Sequence, residues 1–279
     1  MFNNLTPSDL LRFLVWAILG LTGLFVTEHF LLGQVIPYLS LWLFACLVLA
    51  LLFLIYRKLV INFNVQNQLV RDSFSQVSPL QYLHQILPLR KALPSMRGYV
   101  ASPDFLAILA DLVLTKETKT IVECGSGVST IVNAYLLEKL NAEGHIYSLD
   151  NDAHYAGITR DNIAYHDLSD WATIVHAPIQ DFTLGQAAWK WYATDFLKDL
   201  PTSIDLIVVD GPPSTLQKNA RYPALPLLFD RLSPTACIIV DDCNRSEDKA
   251  SVERWLKEYP DFSAQWYFTE KGTYVLTRK

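Results

Sequence analysis

Closely spaced cysteines are missing from this 279-residue chain. Its four cysteines stand at positions 46, 124, 237 and 243, and no two of them have the Cys-x-x-Cys spacing of a zinc site. Their scattered distribution does not indicate a disulfide framework either. The thiols are therefore expected to be reduced, as in a cytosolic domain.

An excess of positive charge is also missing. Lys and Arg number 23 against 28 Asp and Glu, so the formal net charge is −5. Proteins whose main partner is a nucleic acid usually neutralise phosphates with basic surfaces. The acidic balance, without a basic run interleaved with aromatics, argues against such a partner. Internal repeats and low-complexity segments are absent as well.

Long apolar segments, by contrast, are present near the N-terminus. Residues 10–32 and 36–56 are each about 20 residues long, the length that spans the hydrocarbon core of a bilayer. A short turn at 33–37 separates them. The pair predicts a transmembrane helical hairpin, with residues 1–60 as a membrane anchor.

Two alternatives compete with this hairpin. A cleaved signal peptide would have an apolar core about half as long, with no second apolar segment directly after it. Two buried helices of a soluble protein would normally keep a polar face, which both segments lack.

The orientation of the hairpin follows from Lys and Arg, which favour the cytoplasmic side of a membrane. Arg12 lies near the start of the first segment, Arg57 and Lys58 close the second, and the turn contains neither residue type. Both ends of the hairpin are therefore predicted to lie on the cytoplasmic side of the inner membrane, together with the rest of the chain.

The remainder of the chain changes from a connecting region to an alternating pattern. Residues 61–98 are expected to form a connecting helical region, interrupted by Pro88 and Pro94. From residue 99 to 279 strands alternate with helices, which predicts an α/β fold with a doubly wound, mainly parallel sheet. The predicted strands are 120–123, 145–149, 172–176, 204–209, 236–240, 264–268 and 272–277. The predicted helices are one that starts at Ser102 and those at 128–140, 153–164, 224–232 and 246–259.

Carboxylates follow four of the predicted strands. These residues are Glu123, Asp150, Asp210 and the pair Asp241 and Asp242. A doubly wound sheet aligns the carboxyl ends of its strands along one edge, where such sheets bind ligands. One acid alone would mean little, but the repetition favours a ligand site. Asp150, at the end of the second strand, can accept hydrogen bonds from two ribose hydroxyls.

The loop after the first strand narrows the choice of ligand. In the segment 121–130, IVECGSGVST, Gly125 and Gly127 let the backbone approach a ligand closely. Dinucleotide sites also need a third glycine, but position 130 is Thr. Glu123 would repel a diphosphate, whereas a sulfonium cofactor with an amino-acid tail tolerates acids nearby. The loop therefore favours a sulfonium nucleoside over a dinucleotide.

Six segments then occur in the order found in a known family. They are RGYVASPDF (97–105), VECGSGVST (122–130), YSLDND (147–152), IDLIVVDGPP (204–213), ARYPALPLL (220–228) and IIVDDCNR (238–245). With these segments the chain from about residue 97 onward resembles the class I S-adenosylmethionine-dependent methyltransferases. The closest resemblance is to bacterial enzymes of the small O-methyltransferase type. The glycine motif alone is a weak signal, whereas the ordered set is specific.

The resemblance implies a site for S-adenosylmethionine. Four residues would line the methionine end of the cofactor, namely Glu123, Gly125, Ser126 and Gly127. Asp150 would hold the ribose, and Ala177 and Pro178 would lie near the adenine.

The resemblance also implies a catalytic role for Asp210, which stands where related enzymes place an acid facing the transferred methyl group. In metal-dependent relatives this acid and an Asp-Asn pair bind a divalent cation, and here the pair is Asp241 and Asp242. Three carboxylates suit Mg²⁺ or a similar hard cation. The change from Asn to Asp leaves metal dependence open, because either acid of the pair could instead cap the next helix or pair with Arg245. Arg221 and Arg245 flank the same edge, where each could bind an anionic part of the acceptor or form a structural salt bridge.

The expected function is that of a membrane-anchored S-adenosylmethionine-dependent methyltransferase. Its acceptor would be a hydroxyl of a small molecule or of a glycan- or lipid-linked molecule, deprotonated by Asp210 or by a bound metal. Two alternatives stay open. One is a nicotinamide-dependent oxidoreductase on the same kind of sheet, and the other is a membrane scaffold that has lost activity.

Overall fold

The computed structural model describes residues 39–140 and 143–279, together with isolated helical residues between 12 and 30. The chain divides into two compact units, Met1–Arg71 and Asp72–Lys279. The domain boundaries predicted at residues 60 and 98 remain predictions.

The first described helix, α1 (Leu39–Ser75), is 37 residues long. Within Leu41–Ile86, one helix is long and apolar enough to cross a membrane, with a mean hydropathy of 2.3 over a window of which 0% is buried. It is the single candidate span among the described residues. The predicted turn at 33–37 and the ends of the first apolar segment lie outside the described residues, so the predicted hairpin is not established. The helix also continues through the polar stretch 62–68 instead of ending near Tyr56.

The second unit contains the alternating elements that the sequence predicts. Its helices are α2 (Val77–Ile86), α3 (Pro103–Thr115), α4 (Val128–Leu140), α5 (Ala153–Tyr165), α6 (Ala224–Leu228) and α7 (Ser246–Glu258). Its strands are β1 (Thr120–Cys124), β2 (His145–Asp150), β3 (Ala172–His176), β4 (Ile179–Leu184), β5 (Ala187–Tyr192), β6 (Ile204–Val209), β7 (Leu232–Val240), β8 (Phe262–Tyr267) and β9 (Thr273–Arg278).

Seven strands form one sheet in the order β3-β2-β1-β6-β7-β9-β8. The pairs among β3, β2, β1, β6 and β7 are parallel, and β9 is antiparallel to both β7 and β8. The chain leaves β1 towards β2 and β3 and then returns to the other side of β1 as β6. This reversal opens a crevice outside the carboxyl ends of β1 and β6, where doubly wound sheets bind ligands. The predicted mainly parallel sheet is confirmed.

Alternating side chains of each strand enter two separate cores. Ile121 of β1 packs with α2, α3, α4 and α5 on one face, whereas Val122 packs with α6, α7 and the aromatic residues of β5 on the other. This period of two is the geometry of an extended chain. Both faces of the sheet are therefore covered, and the edge formed by the strand ends is left for a ligand.

Three features differ from the prediction. The hairpin β4-β5, a separate two-stranded sheet, occupies a stretch for which no strand was predicted. The helix predicted at 224–232 is α-helical only over Ala224–Leu228, followed by one 3₁₀ turn, Phe229–Arg231. The strand β7 begins at Leu232, earlier than predicted, and its pairing with β6 is irregular between Leu232 and Cys237, a stretch that contains Pro234. Pro is tolerated in such irregular stretches because the ladder needs no donor there.

Candidate active site at the carboxyl ends of the strands

The glycine loop packs against the end of the neighbouring strand. Gly125 has a φ of +102°, and a Cβ there would lie 3.2–3.3 Å from main-chain atoms of Asp210 and Gly211. Gly125 also donates a main-chain hydrogen bond of 2.9 Å to Leu149. The glycine is therefore required both by its backbone conformation and by the close approach of β1 and β6.

Glu123 is a fully buried carboxylate behind this loop. One oxygen, Oε2, accepts hydrogen bonds of 2.5 Å from Thr130 and 2.6 Å from Ser148. The other oxygen, Oε1, has no hydrogen-bond partner. Burial raises the pKa of Glu123 to about 7, and the nearby hydroxyl groups of Ser129, Ser148 and Thr130 oppose this rise. The site thus holds a carboxyl group with one free oxygen, which a cationic group of a ligand could pair with.

Asp150 is fixed at the end of β2. Its Oδ2 accepts a hydrogen bond of 2.7 Å from Ser126, and its Oδ1 accepts one of 2.9 Å from the main-chain N–H of Asp152. Because a carboxylate oxygen accepts more than one hydrogen bond, ribose hydroxyls can still bind here. Ser126 links the glycine loop to this acid, so the loop and Asp150 are positioned together.

Ala177 and Pro178 lie beside Asp150. Ala177 donates a main-chain hydrogen bond of 2.8 Å to Asp150, and the carbonyl of Pro178 accepts one of 2.9 Å from Ala193. The two residues predicted to lie near the adenine are therefore anchored both to Asp150 and to the residue that follows the β4-β5 hairpin.

Tyr192 of β5 is a residue of this region that the sequence analysis missed. Its hydroxyl lies where a Cβ on Gly211 would project, and the side chain is buried. Burial raises the pKa of Tyr192, with smaller contributions from charges that include Asp150 and Asp210. The alternation of buried Trp189 and Trp191 with exposed Lys190 was the signal that could have predicted this strand.

Three predicted catalytic acids converge at the ends of β6 and β7. One side-chain oxygen of each of Asp210, Asp241 and Asp242 lies within 4.8 Å of the other two. Asp241 and Asp242 are buried, and Asp210 is partly buried. Burial and the neighbouring Asp241 raise the pKa of Asp210 well above its usual value, against the effect of Arg221. Burial raises the pKa of Asp241 to about 6, with Lys271 opposing.

Arg221 lies inside this cluster and not at its surface. Its side chain is only 3% exposed and forms ion pairs with Asp242 at 2.6 Å, Asp210 at 3.3 Å and Asp248 at 3.5 Å. It also donates to the main-chain carbonyls of Asp210 and Asp241. Of the two roles left open by the sequence, the structure therefore favours the structural salt bridge over contact with an acceptor.

Arg245 and Lys271 complete the charges around the acids. The side chain of Arg245 is 47% exposed and contacts Asp242 at 2.8 Å, so it also pairs with the acid cluster; its role in acceptor binding remains a prediction. Lys271 lies 3.4 Å from Asp241 and 3.9 Å from Asp242. The sequence analysis did not consider Lys271, since it follows none of the parallel strands.

The residues present fit S-adenosylmethionine. The unpaired oxygen of Glu123 suits an ammonium group, the close packing at Gly125 keeps side-chain atoms out of the loop, and Asp150 suits a ribose. A divalent cation fits less well. Each of the three predicted ligands already has an oxygen paired with Arg221 or Lys271, and these two cations would repel a metal ion.

Residues 122–243 match a family model described as a methyltransferase domain. The match begins in β1, ends just after β7 and includes every predicted site residue except Arg245. No curated protein matches the chain.

Solved structures of methyltransferases share the fold. An O-methyltransferase from Bacillus cereus, in complex with S-adenosylhomocysteine, is 20% identical with a TM-score of 0.52; the match covers 75% of this chain and 97% of that chain. The O-methyltransferase TomG from Streptomyces achromogenes, in complex with S-adenosylmethionine, is 15% identical with a TM-score of 0.54, covering 75% and 98%. A methyltransferase from Podospora anserina, bound to S-adenosylhomocysteine, is 16% identical with a TM-score of 0.50, covering 73% and 87%.

The fold and the domain match define the class of the protein. The sheet is the Rossmann-like sheet of methyltransferases, and residues 122–243 form a methyltransferase domain. The predicted enzyme class is confirmed.

Proposed function

We propose that the protein transfers the methyl group of S-adenosylmethionine to an oxygen atom of its acceptor. The observation that carries this proposal is the position of Asp210, at the crevice between β1 and β6 and directly against the glycine loop. When bound, S-adenosylmethionine supplies an electrophilic methyl group on a sulfonium. What the protein must add is a positioned acceptor and a base for its proton.

The site residues divide this work between them. Glu123 would pair with the ammonium group of the cofactor and Asp150 with the ribose. Asp210 would accept the proton of the acceptor hydroxyl, since its raised pKa makes it a better proton acceptor than an ordinary carboxylate. Two of the three compared structures are described as O-methyltransferases, which supports oxygen as the acceptor atom.

We further propose that the enzyme is anchored in the inner membrane with its catalytic unit in the cytoplasm. The apolar helix within Leu41–Ile86 and the cations Arg57 and Lys58 support this arrangement. An anchor restricts the location of the acceptor, so a glycan- or lipid-linked hydroxyl, or a small molecule at the membrane, is the proposed acceptor.

Binding of the cofactor tests the proposal. The full chain in detergent is titrated with S-adenosylmethionine and with NADH in a calorimeter. Saturable binding of S-adenosylmethionine is expected. Binding of NADH alone would support the oxidoreductase alternative, and binding of neither would support the inactive scaffold.

The acceptor atom is tested with cofactor that carries a ¹³C-labelled methyl group. The enzyme and labelled cofactor are incubated with membrane and soluble extracts, and the product is examined by NMR. The chemical shift of the methyl carbon distinguishes attachment to oxygen from attachment to nitrogen, sulfur or carbon. Label found only on one of the other atoms would contradict O-methylation.

A further inference from the structure

Lys271 reaches into the acid cluster from the turn between β8 and β9. Its ammonium lies 3.4 Å from Asp241 Oδ2, 3.9 Å from Asp242 Oδ1 and 3.1 Å from the carbonyl of Val100. The side chain is 13% exposed. Lys271 is therefore a mostly buried cation with three oxygen partners, unlike a solvated surface lysine.

The turn that carries Lys271 is held by the surrounding backbone. The carbonyls of Lys271 and Gly272 accept main-chain hydrogen bonds of 2.8 Å from Asn244 and Cys243. Gly272 has a φ of +75°, and a Cβ there would lie 2.8 Å from the main-chain nitrogen of Asn244. This close approach joins the turn directly to the loop that follows Asp241 and Asp242.

A partly buried carboxylate holds the same turn from the other side. Asp104 accepts hydrogen bonds of 2.7 Å from the main-chain N–H of Glu270 and 2.8 Å from the side-chain amide of Gln76. Arg97 also pairs with Glu270 at 2.8 Å. The backbone position of Lys271 is thus fixed by contacts on both sides of the turn. This fixed backbone keeps its ammonium group close to Asp241 and Asp242.

The charges in the cluster nearly balance without a metal ion. Four carboxylates, those of Asp210, Asp241, Asp242 and Asp248, are paired with three cations, Arg221, Arg245 and Lys271. When all four acids are ionised, four negative and three positive charges leave a net charge of −1. A divalent cation would turn this excess into a positive charge and would lie beside the buried Arg221 and the mostly buried Lys271, which opposes its binding.

We propose that Lys271, together with Arg221, takes the place that a divalent cation has in metal-dependent enzymes of this kind, so that the acid cluster works without a metal. Lys271 acts as a positioning residue: it holds Asp241 and Asp242 beside Asp210 and compensates their charge. The inference rests on the proposed function, in which Asp210 accepts the acceptor proton.

Metal binding is tested with Mn²⁺ as the probe. The full chain in detergent is titrated with Mn²⁺ and followed by electron paramagnetic resonance, in the wild type and in Asp241→Asn. The expected result is that Asp241→Asn leaves the Mn²⁺ signal unchanged, because no ion binds at the cluster. One tightly bound Mn²⁺ per chain that is lost in Asp241→Asn would overturn the proposal. This measurement needs no turnover, whereas failure of the proposed function would appear as absent S-adenosylmethionine binding.

The role of Lys271 is tested with three variants. Lys271→Met should lower kcat by about 100-fold, the typical cost of one lost electrostatic partner in an active site, with unchanged affinity for S-adenosylmethionine. Lys271→Arg should restore most of the activity, which a purely steric role would not predict. Lys249→Met, at an exposed lysine of α7, is the control and should behave as the wild type. Wild-type kcat in Lys271→Met would contradict the proposal.

Discussion

The hydroxyl of Thr130 donates a hydrogen bond of 2.5 Å to the buried carboxylate of Glu123. The hydroxyl oxygen of Thr130 also accepts a hydrogen bond of 3.0 Å from the main-chain N–H of Gly127. Thr130 stands where a dinucleotide site would have its third glycine. Thr130, whose presence is evidence against a dinucleotide site, therefore also connects the glycine loop to Glu123.

Replacing Thr130 by Val tests this connection. The variant keeps the shape of the side chain but leaves Glu123 and Gly127 each without one partner. We expect the affinity for S-adenosylmethionine to fall about tenfold, or roughly 1.4 kcal/mol, as for one lost hydrogen bond at a buried group. Calorimetric titration measures this, with Thr130→Ser as the matched control that retains the hydroxyl. Equal affinity in the Val variant and the wild type would refute the connection.

Replacing Asp150 by Ala removes the carboxylate proposed to hold the ribose. Affinity for S-adenosylmethionine should fall about tenfold, because one or two hydrogen bonds to a charged acceptor are lost. Asp152→Ala is the control, since Asp152 accepts from the N–H groups of His154 and Tyr155 and caps α5. That variant should lose about 1 kcal/mol of stability and keep its affinity. If both variants bind the cofactor equally well, Asp150 does not hold the ribose.

The pKa of Glu123, raised to about 7, predicts a pH dependence of cofactor binding. The folded protein keeps this proton to a higher pH than the unfolded chain does, so the stability contributed by the group falls as pH rises from 4.5 to about 7. An ammonium group pairs with the ionised form only. Affinity for S-adenosylmethionine should therefore rise as pH increases through about 7, and Glu123→Gln should remove this dependence. Calorimetry at several pH values would show a flat wild-type profile if Glu123 has no such role.

Replacing Asp210 by Asn removes the proposed base with little change of shape. Cofactor binding should persist, and kcat should fall by about 100-fold or more. In the wild type, activity should rise with pH through the raised pKa of Asp210, because only the ionised form accepts a proton. Asp205→Asn is a control on the same strand, at the opposite end, where Asp205 accepts from the N–H groups of Lys119 and Thr120. Normal turnover in Asp210→Asn would exclude it as the base.

Replacing Arg221 by Met leaves three acids without their shared cation. We expect a loss of about 3–5 kcal/mol in the free energy of unfolding, as for breaking a buried ion pair from one side. Arg245→Met, at a half-exposed arginine that contacts the same Asp242, should cost less than about 1 kcal/mol. Urea denaturation compares the two variants. Similar losses in both would show that Arg221 does not hold the cluster together.

Most of the helices and strands could be predicted because the spacing of apolar residues within each segment indicates its secondary structure. The period of two in the strands and the helical spacing between them are properties of neighbouring residues. The hairpin β4-β5 was missed because the part of the chain between residues 179 and 192 carries few turn signals apart from Gly185. The membrane hairpin remains a prediction, since one apolar helix is what the described part of the chain shows.

The sequence by itself determined which acidic side chains lie together at the edge of the sheet. Parallel strands end on the same side, so Glu123, Asp150, Asp210, Asp241 and Asp242 had to converge there. Only the tertiary structure decided their partners. Arg221 approaches from the segment before α6, and Lys271 approaches from the turn before β9. Ion pairs depend on distances between side chains that are remote in sequence, and no local pattern encodes these distances. The choice between a metal ion and two protein cations at the acid cluster is for this reason a property of the folded chain.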